Sequence, residues 1–384
     1  MGKLKCMYCG FESHYLGLHL EREHNVTVRR YLKEFPKAGT ISPQLATLYE
    51  KKATEVHRKG EHVQKIEGIY LTVDLSIPSK VCFPLPLQYH WATQGDAEQD
   101  TKQIVVALKK KRSTYIWGMP GCGKDAIVKA YSAITHTPAR SFHVVKNLDV
   151  SSWFWSKSFN REGTYWEEGS LYEILTNGYE REDGSRVGYL VLITDFDRMN
   201  QSQTELFRLI LDPDRPAVMG PKGIITDVYP GTTIVATGNT AGAGDFRGRS
   251  ISSSPIDASI MDRFERAFEM HYLSWEDERI VLKEKFPRVY KAFPEFFETL
   301  GKLTVKIRTM VQEEKYYAEF SHRTLCNWIT SIQDSLEERG AEDTLPIEQA
   351  RCWLDKLPDV HSRLEVARLL DAHFQSRDKR HLHA

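Results

Sequence analysis

The chain has little cysteine, no excess of charge of either sign and no long hydrophobic run, and each shortage closes off a class of protein. Six cysteines scattered over 384 residues are too few for a disulfide framework at this length, which points to a reducing cytoplasm. Lysine plus arginine and aspartate plus glutamate each number 52, so attraction to nucleic acid or to a membrane surface would need a local patch. Apolar runs such as YLVLI and IVVAL fall far short of the roughly 20 residues that cross a bilayer, so no membrane span is expected. The opening stretch, MGKLKCMYCG, lacks the apolar core of a secretion signal. Internal repeats and low-complexity segments are missing as well. What remains is a chain with room for one large domain or a few smaller ones, each able to bury a core.

Composition divides the chain into a basic, Cys/His-containing segment over 1–37, a mixed segment of linker and lead-in elements over 38–100 with Pro-marked breaks (SIPSK, FPLPLQ), and a long remainder. From 101 to 274 short apolar runs alternate with helical patterns, the rhythm of an α/β fold with a parallel sheet. STYIW, SFHVV, GYLVLIT and TTIVAT are the strand candidates, and KDAIVKAYSAI is the helix after the first of them. From 275 to 384 patterns such as WEDERIVLKEKF and TLCNWITSIQDSLEE predict a helical subdomain ending in a polar, frayed tail.

The first segment holds CMYCGFESHYLGLHLEREH, with Cys6 and Cys9 two residues apart and His19 and His24 beyond them. Two thiolates and two imidazoles give the closed tetrahedral shell of structural zinc, and so short a segment cannot bury enough apolar surface to fold without help. His14 is a competing ligand with poorer spacing. Arg22, Arg29, Arg30 and Lys33 could meet phosphates, but Glu21, Glu23 and Glu34 interrupt that face. Recognition of DNA and docking onto protein both stay open.

A local absence matters more. WGMPGCGKDA lies between a strand candidate and a helix candidate, and Gly118, Gly121 and Gly123 let the backbone wrap anionic oxygens while Lys124 reaches phosphates. The nucleotide loop expected over Gly118, Met119, Pro120, Gly121, Cys122, Gly123, Lys124, Asp125 and Ala126 lacks the Ser or Thr that normally follows the lysine and ligates magnesium. Asp125 stands there instead. Cys122 occupies a variable loop position.

Several stretches resemble parts of known families. The finger is similar to the Ros/MucR type of prokaryotic zinc finger, whose C-x2-C-x9-H-x4-H spacing it has and whose following stretch HNVTVRRYLKEFPKAGTISP resembles. YLVLITDFDR resembles a Walker B strand, with Thr194 at the magnesium-associated acid and Asp195 at the catalytic acid. The loop and this strand thus exchange a hydroxyl for a carboxylate at Asp125 and the reverse at Thr194, which conserves charge beside the ion; independent decay of the two motifs is the alternative. Shifting the alignment by one would make Asp195 the metal-side acid and leave Phe196 at the catalytic position. TTIVATGNTAGAGDFRG resembles sensor 1 and implies Asn239. PIDASIMDRFERAF resembles the arginine-finger segment and implies Arg263, with Arg266 second. FSHRTLCNWITS resembles sensor 2 on a lid helix and implies Arg323.

Residues 100 to 335 together look like an AAA+ ATPase of the MoxR branch, most closely the CobS-like small subunit of cobaltochelatase. SSWFWSKSFNREGTYWEEGSLYEIL and AVMGPKGIITDV match its two insertions, the second as a hairpin turned by Gly220 to Gly223; packing is the other reading for Trp153, Trp155 and Trp166. The resemblance implies ATP and Mg2+ beside the finger's Zn2+, and a homo-oligomeric ring, usually a hexamer. It also implies a protein substrate or von Willebrand A-type partner, in a bacterial or phage-encoded setting. Cobalt chelation itself fits the finger and the altered ligands poorly. A DNA-acting zinc-finger ATPase and a nucleotide-bound scaffold with little hydrolysis are the rivals.

Overall fold

A computed structural model describes residues 4–13, 16–24, 26, 31, 33–35, 38, 62–66, 68–145, 148–160, 163–244, 253–313, 320–357 and 359–374. His14 and the residues 27–30, which include Arg29 and Arg30, fall outside the described residues. The chain divides into two compact units, one of Met1–Gln64 with Tyr70–Leu75, the other of Lys65–Ile69 with Ser76–Ala384.

In the first unit β1 (Leu4–Lys5) pairs antiparallel with β2 (Glu12–Ser13), and α1 spans Gly17–His24. Its core is small: Cys6, Leu16, Leu20 and Tyr31 are buried, with Tyr8, Val26 and Phe35 packed on them. A ribbon of β3 (His62–Ile66) and β4 (Ile69–Val73) follows.

The first α-helix of the second unit is α2 (Gly95–Lys109), which starts a few residues ahead of the boundary suggested by composition. Next come β5 (Thr114–Trp117), α3 (Lys124–Thr135) and β6 (Ala139–His143). An excursion follows, of hairpin β7 (Trp155–Asn160) and β8 (Gly163–Glu168), α4 (Ser170–Asn177) and the short pair β9 (Tyr179–Glu180) and β10 (Arg186–Val187). After β11 (Leu190–Thr194) and α5 (Gln201–Glu205) a second hairpin joins β12 (Ala217–Met219) to β13 (Ile225–Asp227). β14 (Thr233–Gly238), α6 (Ala258–Met261) and β15 (Arg266–Glu269) complete the layer.

Five of these strands form one all-parallel sheet in the order β15-β5-β14-β11-β6, as the alternation of apolar runs and helices predicts. Every residue of β11 and β14 is buried, which explains why both are continuous apolar runs rather than alternating ones. β14 lies between the strand that feeds the glycine loop and the strand that ends at Thr194, so three chemistry-bearing loops leave the same edge of the sheet.

The helical subdomain comprises α7 (Trp275–Lys285), α8 (Pro287–Ala292), α9 (Pro294–Gln312), α10 (His322–Arg339), α11 (Arg351–Leu354) and α12 (Val360–His373). They surround a core of Phe296, Phe297, Trp328, Ile329, Trp353 and neighbours. Ser274 caps α7 by accepting from Asp277 N at 3.1 Å. Asp277 is itself buried and accepts from Thr93 N at 2.8 Å and Thr93 Oγ1 at 2.6 Å, tying the stretch before α2 to this subdomain. No helix among the described residues is long and apolar enough to cross a membrane.

The aromatic insertion is a hairpin, and its three tryptophans divide. Trp153 packs on Phe142, with ring centroids 5.1 Å apart, and Trp155 lies against Phe154, at 5.7 Å. Trp166 is exposed and carries Lys157 Nζ 5.0 Å above its ring. Packing accounts for the first two and not for the third.

Candidate active site and metal centre

The turn between β1 and β2 presents Cys6 and Cys9, folded back by Gly10 N donating to Cys6 O at 2.8 Å and Cys6 N to Phe11 O at 2.8 Å. α1 carries His19 and His24 on one side. The donor atoms approach one another closely: Cys9 Sγ and His19 Nε2 at 3.1 Å, His24 Nε2 and Cys9 Sγ at 3.3 Å, His24 Nε2 and Cys6 Sγ at 3.6 Å, and the two Nε2 atoms at 3.2 Å. Zn–S bonds of about 2.3 Å and Zn–N bonds of about 2.0–2.1 Å at tetrahedral angles imply donor separations of roughly 3.3–3.8 Å. The four donors therefore have the right identity and nearly the right spacing for zinc, whose role there would be to replace a hydrophobic core. Among the described residues this is the one cluster of three or more potential metal ligands. Phe11 stacks on His19 at 4.3 Å and Tyr8 packs against His24 at 5.0 Å, which fixes both imidazole planes. Of the charged residues around the finger, Lys33 and Glu23 are exposed, and Glu34 accepts from Tyr8 Oη at 2.6 Å.

In the second unit the loop from Gly118 to Gly123 bends through positive φ at Gly118 (154°), Gly121 (73°) and Gly123 (99°), and α3 starts at Lys124. Its first-turn N–H groups have no partner within the helix, and a phosphate placed there would be favoured by the helix dipole. Lys124 Nζ donates to Gly118 O at 2.8 Å, Met119 O at 3.2 Å and Asn239 Oδ1 at 3.2 Å. A single side chain thus joins the loop to the end of β14. Cys122 is buried, its Sγ 4.0 Å from that ammonium, and burial pushes its thiol pKa up. Ala126 lies in the first turn of α3 and Met119 packs on the core of the helical subdomain.

Asp125 and Thr194 are held separately. Asp125 Oδ1 accepts from Thr237 Oγ1 at 2.8 Å, while Thr194 Oγ1 lies 2.6 Å from His143 Nδ1. β11 and β14 run in register with Ile193 opposite Ala236, so Thr194, the last residue of β11, and Thr237, the last but one of β14, lie at adjacent strand ends. Asp125, Thr237, Thr194 and His143 accordingly form a row across the carboxyl ends of β14, β11 and β6. Neither Thr237 nor His143 was identifiable from the sequence, because strand order decides that they meet.

Asp195 follows in the left-handed conformation, φ 57°, uncommon for a non-glycine residue and a sign of local strain. Burial raises its carboxyl pKa, and Asp197 and Asp125 push the same way against Arg198 and Lys124. Arg198 Nε lies 3.6 Å from Asp195 Oδ1. Phe196 is wholly buried, packed edge-on against Phe207 and Phe264, so the shifted alignment would put a core residue at the catalytic position.

Asp197 escaped the sequence reading and is central. It is fully buried, and its Oδ2 accepts from Asn239 N (2.8 Å), Thr240 N (3.1 Å), Thr240 Oγ1 (3.1 Å) and Ser253 Oγ (2.9 Å). This carboxylate fixes the backbone that carries Asn239. Gly238 must be glycine for the same reason, since an added Cβ would lie 2.1 Å from Tyr115 Oη and 3.1 Å from Asp197 Cγ.

α10 closes the other side. A Cβ on Gly121 would fall 2.8 Å from Ser321 Cβ and 3.8 Å from Arg323 Cβ, so the glycine loop touches the N-terminus of α10 directly. Tyr272 Oη also donates to Pro120 O at 2.9 Å. Gly121→Ala is therefore expected to lower the melting temperature. Its positive φ and the overlap with Ser321 act together, each costing on the order of 1 kcal/mol. Thermal melting measures the loss.

Arg263 and Arg266 are not at this site. Arg266 pairs with Thr114, the first residue of β5, whereas the glycine loop leaves the far end after Trp117, roughly 10 Å along the strand. Arg263 Nη1 donates to Asp212 Oδ2 at 2.7 Å and to Arg208 O at 3.1 Å.

Comparison with known proteins gives little beyond this geometry. No family model matches the chain, and no curated protein matches it. Among solved structures, two single-substitution variants of Thermotoga maritima RuvB are similar, each at 13% identity over 70% of this chain and 72% of theirs, with TM-scores of 0.42 and 0.41.

Proposed function

We propose that the chain is an ATPase of the AAA+ type that binds ATP with Mg2+, assembles into a ring and uses hydrolysis to remodel a protein partner recruited through its zinc module. The observation that carries this reading is convergence: Lys124 and Asp125 at the start of α3, Asp195 and Asn239 beyond neighbouring strand ends and Arg323 on α10 come together around the glycine loop. Lys124 and Arg323 would bind phosphate oxygens, Asn239 would orient the attacking water and Asp195 would accept its proton. The ion would neutralise charge on the β- and γ-phosphates.

The placement of Arg263 supports a ring. An arginine tied to Asp212 at the opposite end of the sheet cannot serve its own loop but can serve a neighbour's. The decisive experiment mixes two inactive variants, Lys124→Ala and Arg263→Ala. In mixed rings some interfaces pair an intact loop with an intact finger, so hydrolysis should recover above either variant alone. No recovery removes the shared site, and arginine-independent turnover removes the finger. If wild-type protein binds ATP without hydrolysing it, the chain is a nucleotide-bound scaffold.

The exchange between loop and strand has its own test. Asp125→Thr and Thr194→Asp should each lower hydrolysis at least tenfold by removing one carboxylate from, or adding one to, a site that already holds Asp195 and Asp197. The double variant restores the charge and should recover most of the loss. If it rescues nothing that either single change loses, the two positions do not act as a pair.

A further inference from the structure

Away from the phosphate-facing groups, α7 and α10 bring together a second set of reactive side chains. Cys326 and His322 lie one turn apart on α10, with Sγ and Nε2 separated by 3.3 Å. His322 Nδ1 lies 2.9 Å from Glu278 Oε1, and Lys285 Nζ donates to Cys326 Sγ at 3.4 Å. Glu278 is buried and held from the other side by Arg308, whose Nη1 and Nη2 donate at 2.8 and 3.1 Å. A thiol, an imidazole and a carboxylate thus stand in line, with an ammonium beside the sulfur. Nothing in the hydrolysis described above uses them.

This arrangement favours a thiolate–imidazolium pair. Two cationic partners stabilise a sulfur anion, and the buried carboxylate holds the imidazole protonated. Hydrogen bonds and charge from Cys326 and Glu278 raise the His322 pKa to about 9 despite its burial, and His322 and Lys285 draw the Cys326 pKa down. Two other cysteines of this unit differ: burial raises Cys122 and Cys352.

We propose that Cys326 is a modification site, a thiolate that reacts with hydroperoxides and, once oxidised, disturbs the nucleotide loop. In the step, the sulfur electron pair attacks one peroxide oxygen, the O–O bond breaks, and the departing hydroxide takes the proton of His322. Thiolate, imidazolium and hydrogen peroxide become sulfenic acid, neutral imidazole and water, with sulfur oxidised and peroxide reduced. The product is larger than the thiolate, in a position only 7% exposed, and no longer an anion between two cations.

Two routes carry the change to the loop. α10 is the helix whose cap, Ser321, meets Gly121. Arg308 stacks over the ring of Tyr272 at 4.1 Å, and Tyr272 donates to Pro120 O. The consequence for nucleotide rests on the function proposed above; the reactivity does not.

The test treats the full chain with dilute hydrogen peroxide in the presence of dimedone and locates the adduct by mass spectrometry. Near pH 6.5 Cys326 should be trapped about tenfold or more faster than Cys352, because His322 and Lys285 lower the pKa of the first thiol while burial raises that of the second. Equal rates overturn the proposal. Lys285→Ala, at an exposed position, should slow trapping at Cys326 without unfolding the chain, and an unchanged rate removes the ammonium from the argument. Peroxide should weaken binding of a fluorescent ATP analogue in the wild type and not in Cys326→Ala. Trapped Cys326 with unchanged binding refutes the coupling, whereas an untreated chain that binds no nucleotide refutes the ATPase reading and leaves the trapping result standing.

Discussion

A chelator that competes for zinc is expected to unfold the N-terminal module and leave the α/β unit folded. The module buries only Cys6, Leu16, Leu20 and Tyr31 fully among its described apolar residues, far too little to offset the conformational entropy of its chain. Zinc binding contributes on the order of 10–16 kcal/mol in comparable small modules, and without it nothing of that size replaces the loss. One zinc per chain should be released on chelation or in Cys6→Ser. The loss should appear as rapid proteolysis or amide exchange confined to the first segment. The cooperative melting of the α/β unit should be unchanged, because that unit has its own cores around β11 and α10. Persistent protection of the first segment after complete metal removal would falsify the structural role. Salt-dependent DNA binding that disappears in Cys6→Ser would transfer the module's target from protein to DNA.

Asp195→Asn should leave ATP binding within a few-fold of wild type while lowering hydrolysis by about 10²–10⁴-fold, the usual contribution of a positioned general base. The substitution is close to isosteric, and asparagine tolerates the left-handed backbone at φ 57° better than most residues, so loss of activity would not reflect a disrupted turn. The pH profile supplies an independent readout. The base must be ionised, and burial with nearby Asp197 and Asp125 raises the Asp195 pKa above the ordinary carboxylate value. Hydrolysis should therefore fall as pH decreases, beginning at a higher pH than for an unperturbed aspartate, and that limb should vanish in the variant's residual activity. An unchanged rate in Asp195→Asn would mean that another group accepts the proton, and His143 beside Thr194 would be the next to examine.

The sequence alone disclosed the parts whose chemistry is local. Gly118 to Lys124 depend on backbone freedom and on a helix starting at the lysine, both written within seven consecutive residues. Cys6, Cys9, His19 and His24 are joined by a short turn and one helix, so their spacing nearly dictates their meeting. Continuous apolar runs identified β11 and β14 because strands buried on both faces need no polar alternation.

What the tertiary structure decided is everything set by strand order and helix docking. Only the insertion of β14 between β5 and β11 brings Asn239 to Lys124 and lines Asp125, Thr237, Thr194 and His143 along one edge. Asp197 is two residues from Asp195, yet one is buried as a backbone clamp and the other is partly exposed beside Arg198. Cys326, 41 residues from Lys285, becomes a thiolate candidate only because α7 and α10 pack together. Such contacts depend on which surfaces bury the most apolar area in three dimensions, and no local pattern in the chain encodes that choice.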